Sequence, residues 1–295
     1  MNVGVNAYCF NRELVAGEMT MFDVAKFVGG KTEAQAFEPL VRYWDRERGA
    51  IEQAEKMGEL VEDLGMFVAC YTLDSNFGVP DAEARQVCVD RCKRELGTAK
   101  ILGTDIVRLD PCTTLPEGEF DSIGSDALLQ RICDSMVEVV DAAAEMDITI
   151  AIENHGRLVG RSEQVAQMVQ LIDRPNFGVN IDFTNFSAVF GEDHHEATAL
   201  LAADVKHAHA KDYDYRESDP GEEGFRELGT GIWVRPAAVG DGDADYNRLL
   251  RTVADAGFDG TVCVETPGPA DPKDGVRTGV ANLRRIMEEL GVASG

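Results

Sequence analysis

Short runs of β-branched and other apolar residues recur along the chain, and between them lie longer segments in which apolar residues return every three or four positions. The runs predict strands over 3–9, 34–38, 66–71, 105–109, 148–153, 177–182, 204–209 and 260–265. The longer segments predict helices over 21–28, 46–64, 81–102, 125–146, 162–172, 195–202, 245–256 and 277–290. Asp81 after Pro80, and Ser162 with Val165, Met168 and Val169 behind it, mark helix starts. Asp63-Leu64-Gly65, Arg174-Pro175-Asn176 and Ala256-Gly257-Phe258 each stop a helix and hand the chain to a strand. Eight strands alternating with eight helices is the arithmetic of an α/β fold of the (β/α)8 barrel type, read as a single domain over residues 1–295. An open doubly wound sheet is the alternative. It is disfavoured because no GxGxxG turn follows the first strand, and because strand ends carry acids and histidines where a dinucleotide binder wants glycines. The stretch 212–243, rich in Gly, Asp, Glu and Pro, is too long for an ordinary connection and reads as an insertion or lid after strand seven.

Hydrophobic residues make up 44% of the chain and aromatics 7%, enough for a sizeable core and against disorder. Charge changes the picture more, since 53 Asp plus Glu against 28 Lys plus Arg leave a net charge of −25. A field of that sign repels phosphate backbones, so no nucleic-acid partner is expected. Only 8 of the cations are Lys, and this Lys-poor, acidic balance suggests a protein kept soluble in high salt, from a halophilic source. No stretch approaches the roughly 18 apolar residues of a membrane span. The N-terminus runs straight into a strand-like segment without a signal-peptide core, so a cytoplasmic protein with no membrane partner is expected. Seven scattered cysteines without a CxxC pair fit reduced thiols rather than a disulfide framework. Cys88 and Cys92 lie four apart on a predicted helix but lack third and fourth metal ligands nearby.

Four polar side chains end four consecutive predicted strands: Glu153, Asp182, His209 and Glu265. Their separations are 29, 27 and 56 residues, the first two about one βα unit and the last enlarged by the insertion. Neighbouring strands therefore set these tips side by side at the C-terminal mouth, where barrel active sites form. Three carboxylates and an imidazole converging there repel one another without a cation, so the set reads as a divalent metal site, rich in oxygen with one nitrogen donor. Mn²⁺, Mg²⁺, Co²⁺ and Zn²⁺ suit such a set.

With these residues in view the sequence resembles the xylose-isomerase-like TIM-barrel superfamily of sugar isomerases and epimerases, which also contains apurinic-site endonucleases. The motifs that carry the resemblance are Ala151-Ile152-Glu153-Asn154-His155-Gly156, Asn180-Ile181-Asp182-Phe183-Thr184-Asn185-Phe186, Lys206-His207-Ala208-His209-Ala210-Lys211-Asp212, Gly240-Asp241-Gly242-Asp243 and Val264-Glu265. The resemblance covers nearly the whole chain, and in this order and spacing the motifs are specific. The resemblance implies that Glu153, Asp182, His209 and Glu265 bind one divalent metal. It also implies that Glu153 and Glu265 flank the substrate carbon and move a proton through a metal-stabilised enediolate, which agrees with the acidity of a C–H beside a polarised carbonyl.

Other candidates surround these four. His207 and His209, two apart, point to one side of their strand, and the one nearer the mouth is the better ligand, leaving His207 behind it or in the core. Lys211 is a candidate for a substrate oxygen or phosphate, or else a solvated loop lysine. Asn154 and His155 leave the fifth strand beside Glu153 and are candidates for substrate contact, a loop cap being the alternative for His155. Arg108 near the end of the fourth strand faces the mouth or pairs with a surface acid, and Glu38 after a weak second strand contacts substrate or is surface charge. In the insertion, Tyr213, Tyr215, Phe225 and Trp233 stack on a sugar or pack a lid, with Trp233 the best candidate for contact. His194-His195 behind Asp193 reads as a polar helix start. The resemblance has departures too. Many relatives place a histidine three residues after the strand-six aspartate; here Asn185 stands, a candidate for substrate contact instead, and a second or third metal loses a ligand. None of the five histidines precedes residue 155, which argues with the charge against a trinuclear zinc nuclease.

The expected function is a divalent-metal-dependent sugar or polyol isomerase or epimerase with a small-molecule carbohydrate substrate. A lyase or dehydratase of the keto-inositol dehydratase or keto-glycoside eliminase type begins with the same proton abstraction and is the alternative. A non-catalytic sugar-binding barrel is a third reading, against which the many acids speak. Homo-oligomerisation through outer helices is left open.

Overall fold

The predicted alternation folds as a barrel because each strand divides by its pleat, apolar residues outward and small or polar residues inward. The structure, a computed structural model, describes every residue except Arg157, Pro267, Pro269, Ala270 and Gly295. In chain order the strands are β1 (Asn2–Asn6), β2 (Ala36–Glu38), β3 (Phe67–Val68), β4 (Tyr71–Thr72), β5 (Ile106–Leu109), β6 (Thr149–Glu153), β7 (Phe177–Asp182) and β8 (Val205–Ala210). Three strands of a separate antiparallel sheet follow, β9 (Asp212–Arg216), β10 (Arg226–Glu227) and β11 (Trp233–Ala237), before the chain returns to the barrel in β12 (Thr261–Val264).

The parallel sheet runs β3-β2-β1-β12-β8-β7-β6-β5-β4. β3 and β4 are two halves of one stave, interrupted at Ala69 and Cys70, so the nine strands make eight staves. Thr72 closes the ring: it bridges Leu40 on one side, and β4 pairs β5 on the other. Val3, Val5, Phe37, Val107, Ile150, Ile152, Val179, Ile181, Val262 and Val264 join the core beneath the helices. Ala36, Ala69 and Cys263 cluster inside the barrel. Gly4 faces them, and a Cβ there would stand 2.6 Å from Cys263 Sγ, so this stave approaches its neighbours too closely for a side chain.

Around the staves lie helices Met21–Lys31, Ala50–Asp63, Ala82–Leu102, Ser125–Ala144, Ser162–Ile172, His194–Leu201, Tyr246–Asp255 and Pro272–Leu290. Their boundaries differ from expectation where a side chain intervenes. β1 ends at Asn6, three residues early, because Asn6 Oδ1 accepts from Tyr8 N at 2.8 Å and turns the chain into the 3-10 segment Ala7–Phe10. The second of these helices begins at Ala50 rather than residue 46 because Gln53 ties back to both backbone groups of Asp45, at 2.9 Å each. The last begins at Pro272, five residues early, with Asp271 capping Lys273 N and proline in the first turn.

The insertion is a built element. β9 and β11 pair antiparallel from Asp212↔Ala237 to Arg216↔Trp233, and β10 adds an edge. Asp212 anchors its base: Oδ1 accepts from Tyr213 N and Ala244 N, Oδ2 from Gly240 N and Gly242 N, at 2.9–3.2 Å. Among the described residues no helix is long and apolar enough to cross a membrane.

Candidate metal centre

The inward-facing residues at the C-terminal ends of the staves meet at one place. Glu153 closes β6, Asp182 closes β7, His209 lies one residue before the end of β8, and Glu265 follows β12. Each offers a ligand atom, and these atoms lie within 4.8 Å of one another, all buried. Parallel pairing makes this happen, since Asp182 stands opposite His209 and Glu153 opposite Asn180 in register.

The free oxygens are selected by what the others already hold. Glu153 Oε2 accepts from Arg108 Nε at 2.6 Å and from Arg108 Nη2. Asp182 Oδ1 accepts from the backbone N–H of Thr184 and Asn185 at 3.1 and 3.0 Å. Left over are Glu153 Oε1, Asp182 Oδ2 and Glu265 Oε2, buried oxygens that face only the cationic groups Lys211 and His209. These three ring the Lys211 ammonium, Nζ lying 2.8 Å from Asp182 Oδ2, 2.9 Å from Glu265 Oε2 and 3.9 Å from Glu153 Oε1. His209 Nδ1 stands 3.0 Å from Glu265 Oε2 and 3.4 Å from Glu153 Oε1. Three convergent buried carboxylate oxygens that face only cationic groups, with one imidazole nitrogen beside them, fit a hard or borderline divalent cation.

Burial opposes every charge here, and the neighbours decide the balance. Burial pushes Glu153 up, but Arg108, His209 and Lys211 hold it well below the usual carboxylate range. Glu265 is likewise pushed up by burial and brought below its ordinary value by His209 and Lys211. Asp182 goes the other way: burial, with Glu265 and Glu153 adding to it, raises it despite Lys211. Burial lowers His209 and Lys211, but the acids around them raise both well above their ordinary values.

The remaining expected residues fall into distinct places. Lys211 is inside the cluster, not on a solvated loop. Arg108, 4% exposed, spans Glu153 and Asp110, its Nη1 donating to Asp110 Oδ2 at 2.8 Å. His155 sits at the mouth with its side chain 44% exposed and Nδ1 2.8 Å from Asp110 Oδ1. Asn154 is fully buried; its amide accepts from Asp182 N at 2.8 Å and donates to Asp182 O at 2.9 Å, which clamps the ends of β6 and β7 together. Asn185 donates to Asn154 O at 3.2 Å. Glu38 is not a surface charge: it is completely buried below the cluster, against His207, His209 and Thr72. Trp233 stands apart from Tyr213, Tyr215 and Val234, because it is in register with Arg216 and so on the other face of the small sheet. Tyr213 and Val234 pack on Ala188, while Phe225 lies under Arg216 and Arg235, their guanidiniums 5.4 and 4.7 Å from its ring. His194 begins its helix behind Asp193, whose side chain caps His195 N and Glu196 N.

Asp110, Asn6, Asn180 and Thr72 were not singled out from the sequence. Asp110 carried a signal of the same type as Glu153, Asp182 and Glu265, an acid closing an apolar strand, in Val107-Arg108-Leu109-Asp110. The others are small polar residues whose partners lie on other staves, 29 to 203 residues away along the chain, with no local pattern to expose them.

A comparison with curated proteins finds no match. Among solved structures, a D-tagatose 3-epimerase-like protein superposes with a TM-score of 0.72 at 17% identity, covering 98% of this chain and 100% of its own. The probable 3-DHS dehydratase AsbF of Bacillus anthracis gives 0.71 at 15%, covering 96% and 98%. The IolI protein, solved with a bound zinc atom, gives 0.71 at 17%, covering 98% of each chain. At these identities the likeness is one of fold. The family model described as xylose isomerase-like TIM barrel matches residues 30–286, and the chain belongs to that family.

Proposed function

We propose that the protein is a divalent-metal-dependent isomerase or epimerase of a sugar or polyol, and that Glu153 and Glu265 shuttle a proton at the carbon beside a carbonyl. The observation that carries this reading is the set of four buried ligand atoms within 4.8 Å, three of them carboxylate oxygens that converge on one point and whose close partners are the cationic Lys211 and His209. Glu153, Asp182, His209 and Glu265 would hold one cation, of the Mn²⁺, Mg²⁺, Co²⁺ or Zn²⁺ class. Bound there, the ion supplies Lewis acidity that makes a neighbouring C–H easier to deprotonate. Arg108 fixes one oxygen of Glu153, so the other is presented toward the cluster with little freedom. Glu265 faces it across the cluster, giving a carboxylate on each side to take up and return a proton. In this reading Lys211, paired with Asp182 and Glu265, holds an oxygen of the substrate, and His155, exposed at the mouth on Asp110, meets its far end.

The test is elemental mass spectrometry of protein loaded with metal and dialysed, followed by a screen of keto sugars in deuterated water. About one divalent ion per chain and deuterium entering next to the carbonyl are expected. Two or three zinc ions, or turnover that survives Glu265→Gln, would overturn the reading. A dehydratase is the second reading, favoured by the dehydratase among the similar structures. Elimination creates a conjugated double bond that absorbs in the ultraviolet, which isomerisation does not.

A further inference from the structure

Beneath the proposed metal ligands lies a fully buried carboxylate that the reaction does not use. Glu38, at the end of β2, has both oxygens occupied. Oε1 accepts from Thr72 Oγ1 at 2.5 Å and lies 3.0 Å from His209 Nε2; Oε2 lies 2.9 Å from His207 Nε2 and 3.1 Å from His209 Nε2. A carboxylate can only accept, so each imidazole must carry its proton on the nitrogen facing Glu38. Asn6 adds no acceptor there: its Oδ1 is taken by Tyr8 N, and the atom it turns toward His209 Nε2 is its amide nitrogen, at 3.3 Å. Nδ1 faces carboxylates as well, 3.0 Å from Glu265 Oε2 and 3.4 Å from Glu153 Oε1, so without a metal it carries the ring's second proton, and a cation would take that proton's place while Glu38 keeps the one on Nε2.

We propose that Glu38 is a positioning residue that locks His209 in the Nε2–H form and fixes its ring angle, so that Nδ1 is the nitrogen offered to the cation. This rests on the metal reading above. Glu38, His207 and Cys263 also lie close enough to one another to suggest a cation of their own. Glu38 has spent both oxygens on hydrogen bonds, however, and Gly4 leaves Cys263 Sγ hemmed in by backbone, so the deeper group acts as support rather than as a second site. Carboxylates behind a ligating histidine raise metal affinity by about 10–100-fold in general.

The experiment is calorimetric titration of the metal-free full chain with Mn²⁺, for wild type, Glu38→Gln and Thr72→Val. Glu38→Gln keeps the shape but turns an amide N–H₂ toward one of the two imidazoles. It should weaken Mn²⁺ binding at least about 10-fold, while Thr72→Val, which removes only the hydroxyl on Oε1, should stay within about threefold. As a readout independent of any variant's folding, nitrogen-detected NMR of the wild-type chain loaded with Zn²⁺ should show His209 protonated at Nε2 and ligated through Nδ1. Ligation through Nε2, or equal Mn²⁺ affinity in Glu38→Gln and wild type, would overturn the role of Glu38 and leave the metal site standing. Failure of the wild type to bind Mn²⁺ or Zn²⁺ would remove the metal reading and this inference together.

Discussion

Arg108 offers the sharpest test of how the barrel interior is held together. Its guanidinium, 4% exposed, stands between two carboxylates that are almost wholly buried, Glu153 at 0% and Asp110 at 1%. Arg108→Met keeps most of the volume and apolar stem but strands both acids. Removing one partner of a buried ion pair typically costs about 3–5 kcal/mol, because the charge left behind has lost its solvation and its partner. Lys211 and His209 for Glu153, and His155 for Asp110, supply part of the missing charge, which places the expectation toward the lower end. Unfolding entropy of about 2.1 cal/mol/K per residue over 295 residues comes to about 0.6 kcal/mol/K, so the melting temperature should fall by about 5–8 °C. The measurement is calorimetric melting of metal-free protein at two salt concentrations, where a buried pair should show nearly the same loss in both. Arg108→Lys should fall between, since one ammonium cannot serve two carboxylates in the way a fork does. Arg108→Met with Glu153→Gln should recover part of the loss by deleting one stranded charge. A melting temperature within about 2 °C of wild type for Arg108→Met would refute the reasoning, for the guanidinium would then contribute little to the folded state.

Three further outcomes follow from other parts of the molecule. Cys88 accepts a hydrogen bond from Cys92 and one from Asn76 N at 3.4 Å, with the Arg91 guanidinium 3.9 Å away, and its thiol is brought down to about 6; Cys112 and Cys133 are raised by burial to about 11 and about 12. Iodoacetamide at neutral pH should therefore label Cys88 first in the native protein, and peptide mapping that finds Cys112 or Cys133 labelled as fast would contradict this. Burial, with His195 and Arg248 nearby, brings His194 down to about 4. A histidine with a lowered pKa stabilises the fold above its unfolded value and loses that contribution as pH falls, so stability should decline between about pH 6.5 and pH 4, and His194→Gln should flatten that limb in urea titrations. Gly242→Ala would put a Cβ 2.3 Å from Asp212 Oδ1 and 2.8 Å from Tyr213 O, so the base of the small sheet must shift; a loss of about 1–3 kcal/mol is expected, and a variant as stable as wild type would show that Asp212 does not need its present place.

The barrel and the four strand-tip residues were legible because both depend on short-range patterns. Apolar runs closed by Glu153, Asp182 and Glu265 are visible in a few residues each, and the spacing of about one βα unit converts chain distance into adjacency once parallel pairing is assumed. The third stave was legible only as one run over 66–71, because its interruption at Ala69 and Cys70 is set by pairing to β2 on one side and β5 on the other. The insertion was visible by its length and composition, yet its antiparallel sheet hangs on Asp212 accepting from backbone groups up to 32 residues away.

What the sequence determined by itself is periodicity: which positions face helices, which face the barrel axis, and which polar side chains end a strand. Tertiary structure decided what each inward polar group meets. Glu38 and His209 are separated by 171 residues, and Arg108 and Glu153 by 45, yet each pair lies in hydrogen-bond contact. A buried charge has no local signature of its own, since its free energy depends on partners brought in from other staves, and only closing the barrel supplies them. For that reason Glu38 read as a surface acid or a substrate contact in the chain and stands in the fold as the acceptor beneath two imidazoles.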